Sequence, residues 1–96
     1  MKAYVIVNVD VKDPARYADY IKAATPTVAA HGGRYIARGG RAEKLEGSVA
    51  DHRIALLEFP SYDHAKGWFD SAEYRKAQAI RQSCSTGDLI LVEGVS

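Results

Sequence analysis

From Lys2 to Val11, valine fills positions 5, 7, 9 and 11, while Tyr4, Ile6, Asn8 and Asp10 fill the even positions between them. That period of two is the period of a β-strand, with successive side chains on opposite faces. Asp13-Pro14 follows as a helix start, the aspartate as cap and the proline at the first helical position. Tyr17, Tyr20, Ile21 and Ala24 then recur at helical spacing. Thr25-Pro26 repeats the start signal and predicts a kink or restart, with the helical path running to His31 and ending at Gly32-Gly33. A second strand is read from Arg34 to Arg38. Gly39-Gly40 marks a bulge or turn, followed by an extended arm over Arg41 to Glu46 and a loop around Gly47. His52 to Phe59 reads as the third strand, closed by Pro60. Ser61 caps a short helix with Tyr62, Ala65, Trp68 and Phe69 on its apolar side. Asp70-Ser71-Ala72-Glu73 has the form of a capping box and opens a further segment through Tyr74, Ala77 and Ile80. Thr86-Gly87-Asp88 is read as the turn into a fourth strand, Leu89 to Glu93.

The order βαββαβ predicts one α+β domain over residues 1–96, a ferredoxin-like sandwich with a four-stranded antiparallel sheet covered on one face by helices. Asp13-Pro14-Ala15-Arg16-Tyr17 and Asp70-Ser71-Ala72-Glu73-Tyr74 open the two helical regions alike, a faint internal echo. Val5, Val7, Val9, Ala55, Leu57, Phe59, Ile90 and Val92 are assigned to the helix-covered face. The opposite face then mixes Ile6, Ile54, Leu56, Leu89 and Leu91 with Asn8, Glu58 and Glu93. A sheet wet on that side would be mostly polar there, and one buried on both sides almost wholly apolar. A mixed face of this kind predicts a second copy of the chain as its cover, since burying each such side chain contributes roughly 1.5–3 kcal/mol.

Composition narrows the partners. A chain of 96 residues buries only about 60–65% of the surface that its unfolded form exposes, so dimerisation helps its small core. Thirteen basic and twelve acidic residues leave a net charge of +1, which gives no field to attract nucleic acid or anionic lipid. RNA binding across the sheet also needs paired aromatics on the central strands, and the open face offers mainly Tyr4. Asn8 and Asp10 interrupt the N-terminal apolar run, so neither a signal peptide nor a membrane span is expected, and the chain is assigned to the cytoplasm. The single cysteine, Cys84, cannot form an internal disulfide. It reads as a small buried residue near a helix end, with a catalytic thiol as the alternative.

A resemblance then emerges from the residues in order. Val9-Asp10-Val11-x-Asp13-Pro14, His31-Gly32-Gly33-Arg34-Tyr35-x-x-Arg38-Gly39-Gly40, Leu45-Glu46-Gly47, Glu58-Phe59-Pro60-Ser61-Tyr62, Trp68-Phe69-Asp70-Ser71-x-Glu73-Tyr74 and Leu91-Val92-Glu93-Gly94 together resemble domain-of-unknown-function family thirteen-thirty. The likeness runs over nearly the whole chain. It implies membership of the dimeric α+β barrel superfamily, hence a homodimer of ferredoxin-like protomers. Its neighbours there include cofactor-free quinone-forming monooxygenases, muconolactone isomerases and haem-dependent chlorite dismutases, which hold ligands between sheet and helices or loops. The family itself implies a fold and a location, and no reaction.

Candidate chemistry is weighed against structural roles. Glu58 and Glu93 are the candidate catalytic acids, because a carboxylate buried in an interface either raises its pKa or finds a cation such as Arg38. The competing account is an ion pair that fixes dimer register. Asn8 can orient a carbonyl or hydroxyl, or bond a neighbouring strand. The spacings of His31, His52 and His64 match no zinc or iron motif, and no metal or other cofactor is expected. His31 alone is kept as a general acid or base, against a capping role at its helix end. Tyr17 and Trp68 belong to a set of rings that packs helix against sheet and lines a pocket. No nucleophile elbow, phosphate loop or dinucleotide fingerprint is present. Two functional readings remain open. One is a small-molecule enzyme of isomerase or cofactor-free oxygenase type, and the other is a non-catalytic small-molecule-binding or structural homodimer.

Overall fold

A computed structural model of the chain describes residues 1–50 and 52–96. The elements run β1 (Ala3–Val11), α1 (Pro14–Ala30), β2 (Arg34–Arg38), β3 (Arg53–Phe59), α2 (Tyr62–Asp70), α3 (Ala72–Cys84) and β4 (Ser85–Glu93). The strands form one antiparallel sheet in the order β2-β3-β1-β4. This is the ferredoxin-like arrangement, with α1 packed along α3 over one sheet face and the short α2 beside β1, β3 and β4. No helix of the described residues is long and apolar enough to cross a membrane.

Local chemistry sets the boundaries. Asp13 caps α1 by accepting from the backbone N–H of Arg16 at 3.1 Å, Ser61 caps α2 through His64 N–H at 3.1 Å, and Ser71 caps α3 through Tyr74 N–H at 3.2 Å. At the far end of α1, Gly32 takes φ +77° and the N–H of Gly33 bonds the Val28 carbonyl at 2.9 Å, closing the last turn. The helix passes through Pro26 without the restart expected there. Pro26 is exposed, and the threonines on either side bond back into the helix, Thr25 Oγ1 to the Ile21 carbonyl at 2.8 Å and Thr27 Oγ1 to the Ala24 carbonyl at 2.6 Å. The segment read as an extended arm forms no strand, and residues 41–50 are exposed throughout.

The core lies where β1 and β3 meet the helices. Val5, Val7, Val9, Ala55, Leu57 and Phe59 are buried there against Tyr17, Tyr20, Val28, Trp68 and Tyr74. Strand β4 departs from its expected facing. It begins at Ser85, directly after α3, and Thr86-Gly87-Asp88 lies inside the strand rather than in a turn. Ser85 pairs with Val11 and Gly87 with Val9, so Leu89 and Leu91 fall opposite Val7 and Val5 on the helix side. Ile90 and Val92, expected in the core, oppose Ile6 and Tyr4 on the open face and are 57% and 44% exposed. The same register places Glu93 opposite Ala3, on the helix side and away from Asn8 and Glu58.

Strand β2 contains a second shift. Arg34 and Tyr35 pair with Glu58 and Leu57, whereas Ala37 and Arg38 pair with Leu56 and Ala55, leaving Ile36 as the extra residue of a bulge. A one-residue slip exchanges faces for everything beyond it. Arg38 therefore shares the helix side with Ala55, and does not join Asn8 and Glu58.

Candidate functional site

The expected polar constellation does not assemble. Glu58 projects from the open face, where Arg34 Nε approaches its Oε1 at 3.1 Å and Lys2 Nζ at 3.6 Å. Its partner is Arg34 rather than Arg38, because those two residues are directly paired across β2 and β3. Asn8 lies further along the same face and donates from Nδ2 to the Ala50 carbonyl at 2.8 Å, tethering the exposed 41–50 segment to the sheet. Glu93 sits at the other side of the sheet, beside Ser61, Tyr62 and Asp63. His31 closes α1, its Nδ1 lying 3.0 Å from the Thr27 carbonyl. His64 pairs through Nδ1 with Ser61 Oγ at 2.6 Å. Cys84 is buried, with Sγ 3.3 Å from the Ile80 carbonyl.

The chemistry gathers instead where the helix-side ends of β1 and β3 meet the first turn of α1. An open cleft of about 530 Å³ there is lined by Asp10, Pro14, Tyr17, His52 and Arg53, among others, a size suited to a small organic molecule. Arg53 stands at the start of β3, two residues before Ala55, so strand alternation turns it toward the helices. Its Nη1 donates to the Tyr17 hydroxyl at 3.3 Å, and its guanidinium carbon lies 5.0 Å from the Tyr17 ring centroid. Gly39, at φ +68°, makes room for it: a β-carbon there would stand 3.2 Å from Arg53 Nε and Nη2. Arg38 stacks in the same manner over Tyr35, 4.8 Å from the ring centroid.

Across the cleft, Asp10 binds Lys12 and lies 4.0 Å from His52 Nδ1. The Lys12 ammonium holds the Asp10 carboxyl below the usual carboxylate value. Behind Tyr17 and Arg53 lies an inner space of only about 10 Å³, walled by Tyr20, Tyr35, Leu57 and Trp68 among others. That volume is about one water's worth, so ligands are confined to the outer cleft unless Tyr17 and Arg53 move. Trp68 is 1% exposed and donates from Nε1 to Thr27 Oγ1 at 3.0 Å. It supports the wall and does not reach the cleft. Burial pushes the Tyr17 hydroxyl above the ordinary phenol value, while the positive charges of Arg53 and Arg81 act in the opposite direction. Burial likewise raises Tyr20 and Tyr35.

Tyr17 is the one sequence-derived candidate that lines this cleft. Arg53, Asp10 and His52 were legible only in part: the parity of β3 assigns Arg53 to the helix side, but the cleft brings together chain ends that share no sequence motif.

Comparison with solved structures places the chain among proteins of the same fold. The RPA0582 protein of unknown function from Rhodopseudomonas palustris superposes with a TM-score of 0.78 at 20% identity, covering 99% of this chain and 83% of its own. SnoaB, a cofactor-independent oxygenase from Streptomyces nogalater, gives 0.70 at 11% identity, over 99% and 94%. A dimeric ferredoxin-like protein of unknown function from Thermobifida fusca gives 0.61 at 17% identity, over 98% and 90%. A search of curated proteins finds no match to this chain. The family model described as Domain of unknown function (DUF1330) matches residues 2–95, and the chain belongs to that family.

Proposed function

We propose that the protein is a small-molecule enzyme that moves a proton on an enolisable compound bound in the cleft beside Tyr17. The observation that carries this reading is that one cleft is lined both by the Asp10 and His52 pair and by the Arg53 and Tyr17 pair. In the proposed step, His52 removes a proton from carbon next to a carbonyl, with Asp10 favouring the imidazolium that forms. The electron pair moves onto the carbonyl oxygen, where Arg53 and the Tyr17 hydroxyl hold the resulting enolate oxygen. Return of the proton to a different carbon completes an isomerisation. Attack of the same carbanion on dioxygen would make an oxygenase, the activity named for the structural neighbour SnoaB. Deuterium uptake from D₂O by β-tetralone and by phenylpyruvate, followed by NMR, tests the step. His52→Gln and Tyr17→Phe are expected to slow protein-dependent exchange by roughly 10²-fold. Exchange no faster than in buffer, or unchanged in both variants, would remove the step.

The dimer belongs to the same proposal. Ile6, Ile90 and Val92 are 36%, 57% and 44% exposed on the open sheet face, and a second copy laid on that face would bury them together with Leu56. The description of the Thermobifida fusca neighbour as dimeric agrees with this. Light scattering at micromolar concentration is expected to give twice the chain mass, and Ile90→Glu half of that value.

A non-catalytic binding dimer is the second reading. It is favoured by the engagement of Glu58 with Arg34 and Lys2 and of His31 with its own helix. Tight ligand binding without exchange or oxygen consumption would select it.

A further inference from the structure

We infer that the cleft recognises a small planar organic anion, an aromatic carboxylate, through Arg53 at its wall, with the buried cation of Arg81 on α3 adding to the positive charge of the region. The inference rests on the reading of the cleft as a small-molecule site and adds its ligand class.

Arg81 lies on the buried stripe of α3, seven residues after Tyr74 and four after Ala77, and is only 6% exposed. Its Nε is buried with no hydrogen-bond partner among the described residues. A buried charge is normally paired, because leaving water without compensation is expensive. Even exposed arginines of this chain meet carboxylates: Arg16 meets Asp19, Arg34 meets Glu58 and Arg75 meets Asp70. Arg38, Arg53 and Arg81 have no carboxylate within 4.0 Å among the described residues. Arg38 and Arg53 stack over the Tyr35 and Tyr17 rings, and the charge of Arg81 acts on the Tyr17 hydroxyl.

Arg81 is also tied to the cleft by the backbone. The Cys84 carbonyl accepts from the N–H groups of Lys12 at 2.8 Å and Asp13 at 3.2 Å. Those bonds clamp the last turn of α3 onto the β1–α1 junction, whose Val11 and Pro14 line the cleft. The only carboxylate of the lining that is described, Asp10, is already matched by Lys12 and faces His52. The region therefore holds an excess of fixed positive charge beside aromatic faces. A carboxylate can accept paired N–H bonds from the Arg53 fork, and its ring can lie against Tyr17.

Calorimetric titration with 2-naphthoate and its neutral isostere 2-naphthamide separates the charge from the shape. The acid is expected to bind at least roughly tenfold tighter, the scale of one charge-assisted hydrogen bond. Arg53→Gln should reduce that preference to about twofold or less, and Arg81→Met should weaken the naphthoate alone. Circular dichroism of each variant checks folding, and the comparison of the two ligands on the unaltered protein needs no variant. Equal affinity for both ligands, with amide shifts at Tyr17 and Arg53, would overturn the anion and leave the small-molecule site standing. Absence of binding by either ligand at millimolar concentration would overturn both.

Discussion

The hydroxyl of Tyr20 on α1 lies 3.0 Å from that of Tyr74 on α3, with the two rings set edge to face at 6.4 Å. Both residues are buried, so each oxygen finds its partner in the other and the two helices are joined by one polar contact inside an apolar layer. Removing one hydroxyl strands the other. Tyr20→Phe and Tyr74→Phe are each expected to cost about 1–3 kcal/mol, whereas the double variant should cost less than their sum, since two apolar rings leave nothing unsatisfied. A double-mutant cycle by urea denaturation checks this; additive losses would show that the contact contributes nothing of its own.

Alkaline pH should unfold the protein through its tyrosines. Burial raises Tyr20, Tyr17 and Tyr35 above the ordinary phenol value of about 10. Raised folded-state values mean that stability is fully present below pH 10 and is lost as pH climbs, because the unfolded chain releases its protons first. Each such group can contribute a slope of up to about 1.4 kcal/mol per pH unit. Denaturation midpoints measured from pH 8 to 11 are expected to fall only above about pH 10. A flat profile would remove the burial of these hydroxyls as a stability factor.

Glycine at position 87 is required by the approach of β4 to β1. A β-carbon there would lie 2.2 Å from the Asn8 carbonyl oxygen and 2.7 Å from the Val9 α-carbon, and backbone cannot step aside as a side chain can. Gly87→Ala is expected to destabilise by about 3 kcal/mol or more, at or beyond the upper end of ordinary overpacking. Gly40→Ala meets nothing within 4 Å and should lie within about 0.5 kcal/mol of the unaltered protein. Thermal melts of the pair make the comparison.

Glu58 should behave as a surface anchor. Its own side chain is 14% exposed, but its partners Arg34 and Lys2 keep 68% and 54% of theirs in solvent, and water around the cations holds the contribution of such pairs to about 1 kcal/mol. Glu58→Gln is expected to lower stability by no more than that and to leave proton exchange at the cleft unchanged. A loss of exchange tenfold or greater would return Glu58 to the chemistry.

The central strands were readable because each carries an apolar side chain on every second residue facing one way, Val5, Val7 and Val9 on β1 and Ala55, Leu57 and Phe59 on β3. The edge strand β4 was not, since Leu89-Ile90-Leu91-Val92 is apolar on both parities. Its facing is decided by where Gly87 passes over β1, a tertiary fact. Tyr17 was found from helical spacing alone. Glu58 and Asn8 were correctly placed on one face, and Glu93 was lost with the facing of β4. Arg81 was missed because a long cationic side chain on a helix reads as surface, although its spacing from Tyr74 and Ala77 put it on the buried stripe.

The unpaired Ile36 carries a consequence for how relatives of this chain are compared. Were that residue kept but paired in regular register, Arg38 would fall opposite Ile54 and its charge would pass to the outer side of the sheet, whereas deletion of Ile36 would leave Ala37 opposite Leu56 and Arg38 opposite Ala55. The facing of Arg38 at this edge thus depends on the bulge that takes up Ile36. A homologue that is one residue shorter between these positions keeps the arginine on the helix side without a bulge, so a gap there marks a change of backbone rather than of chemistry.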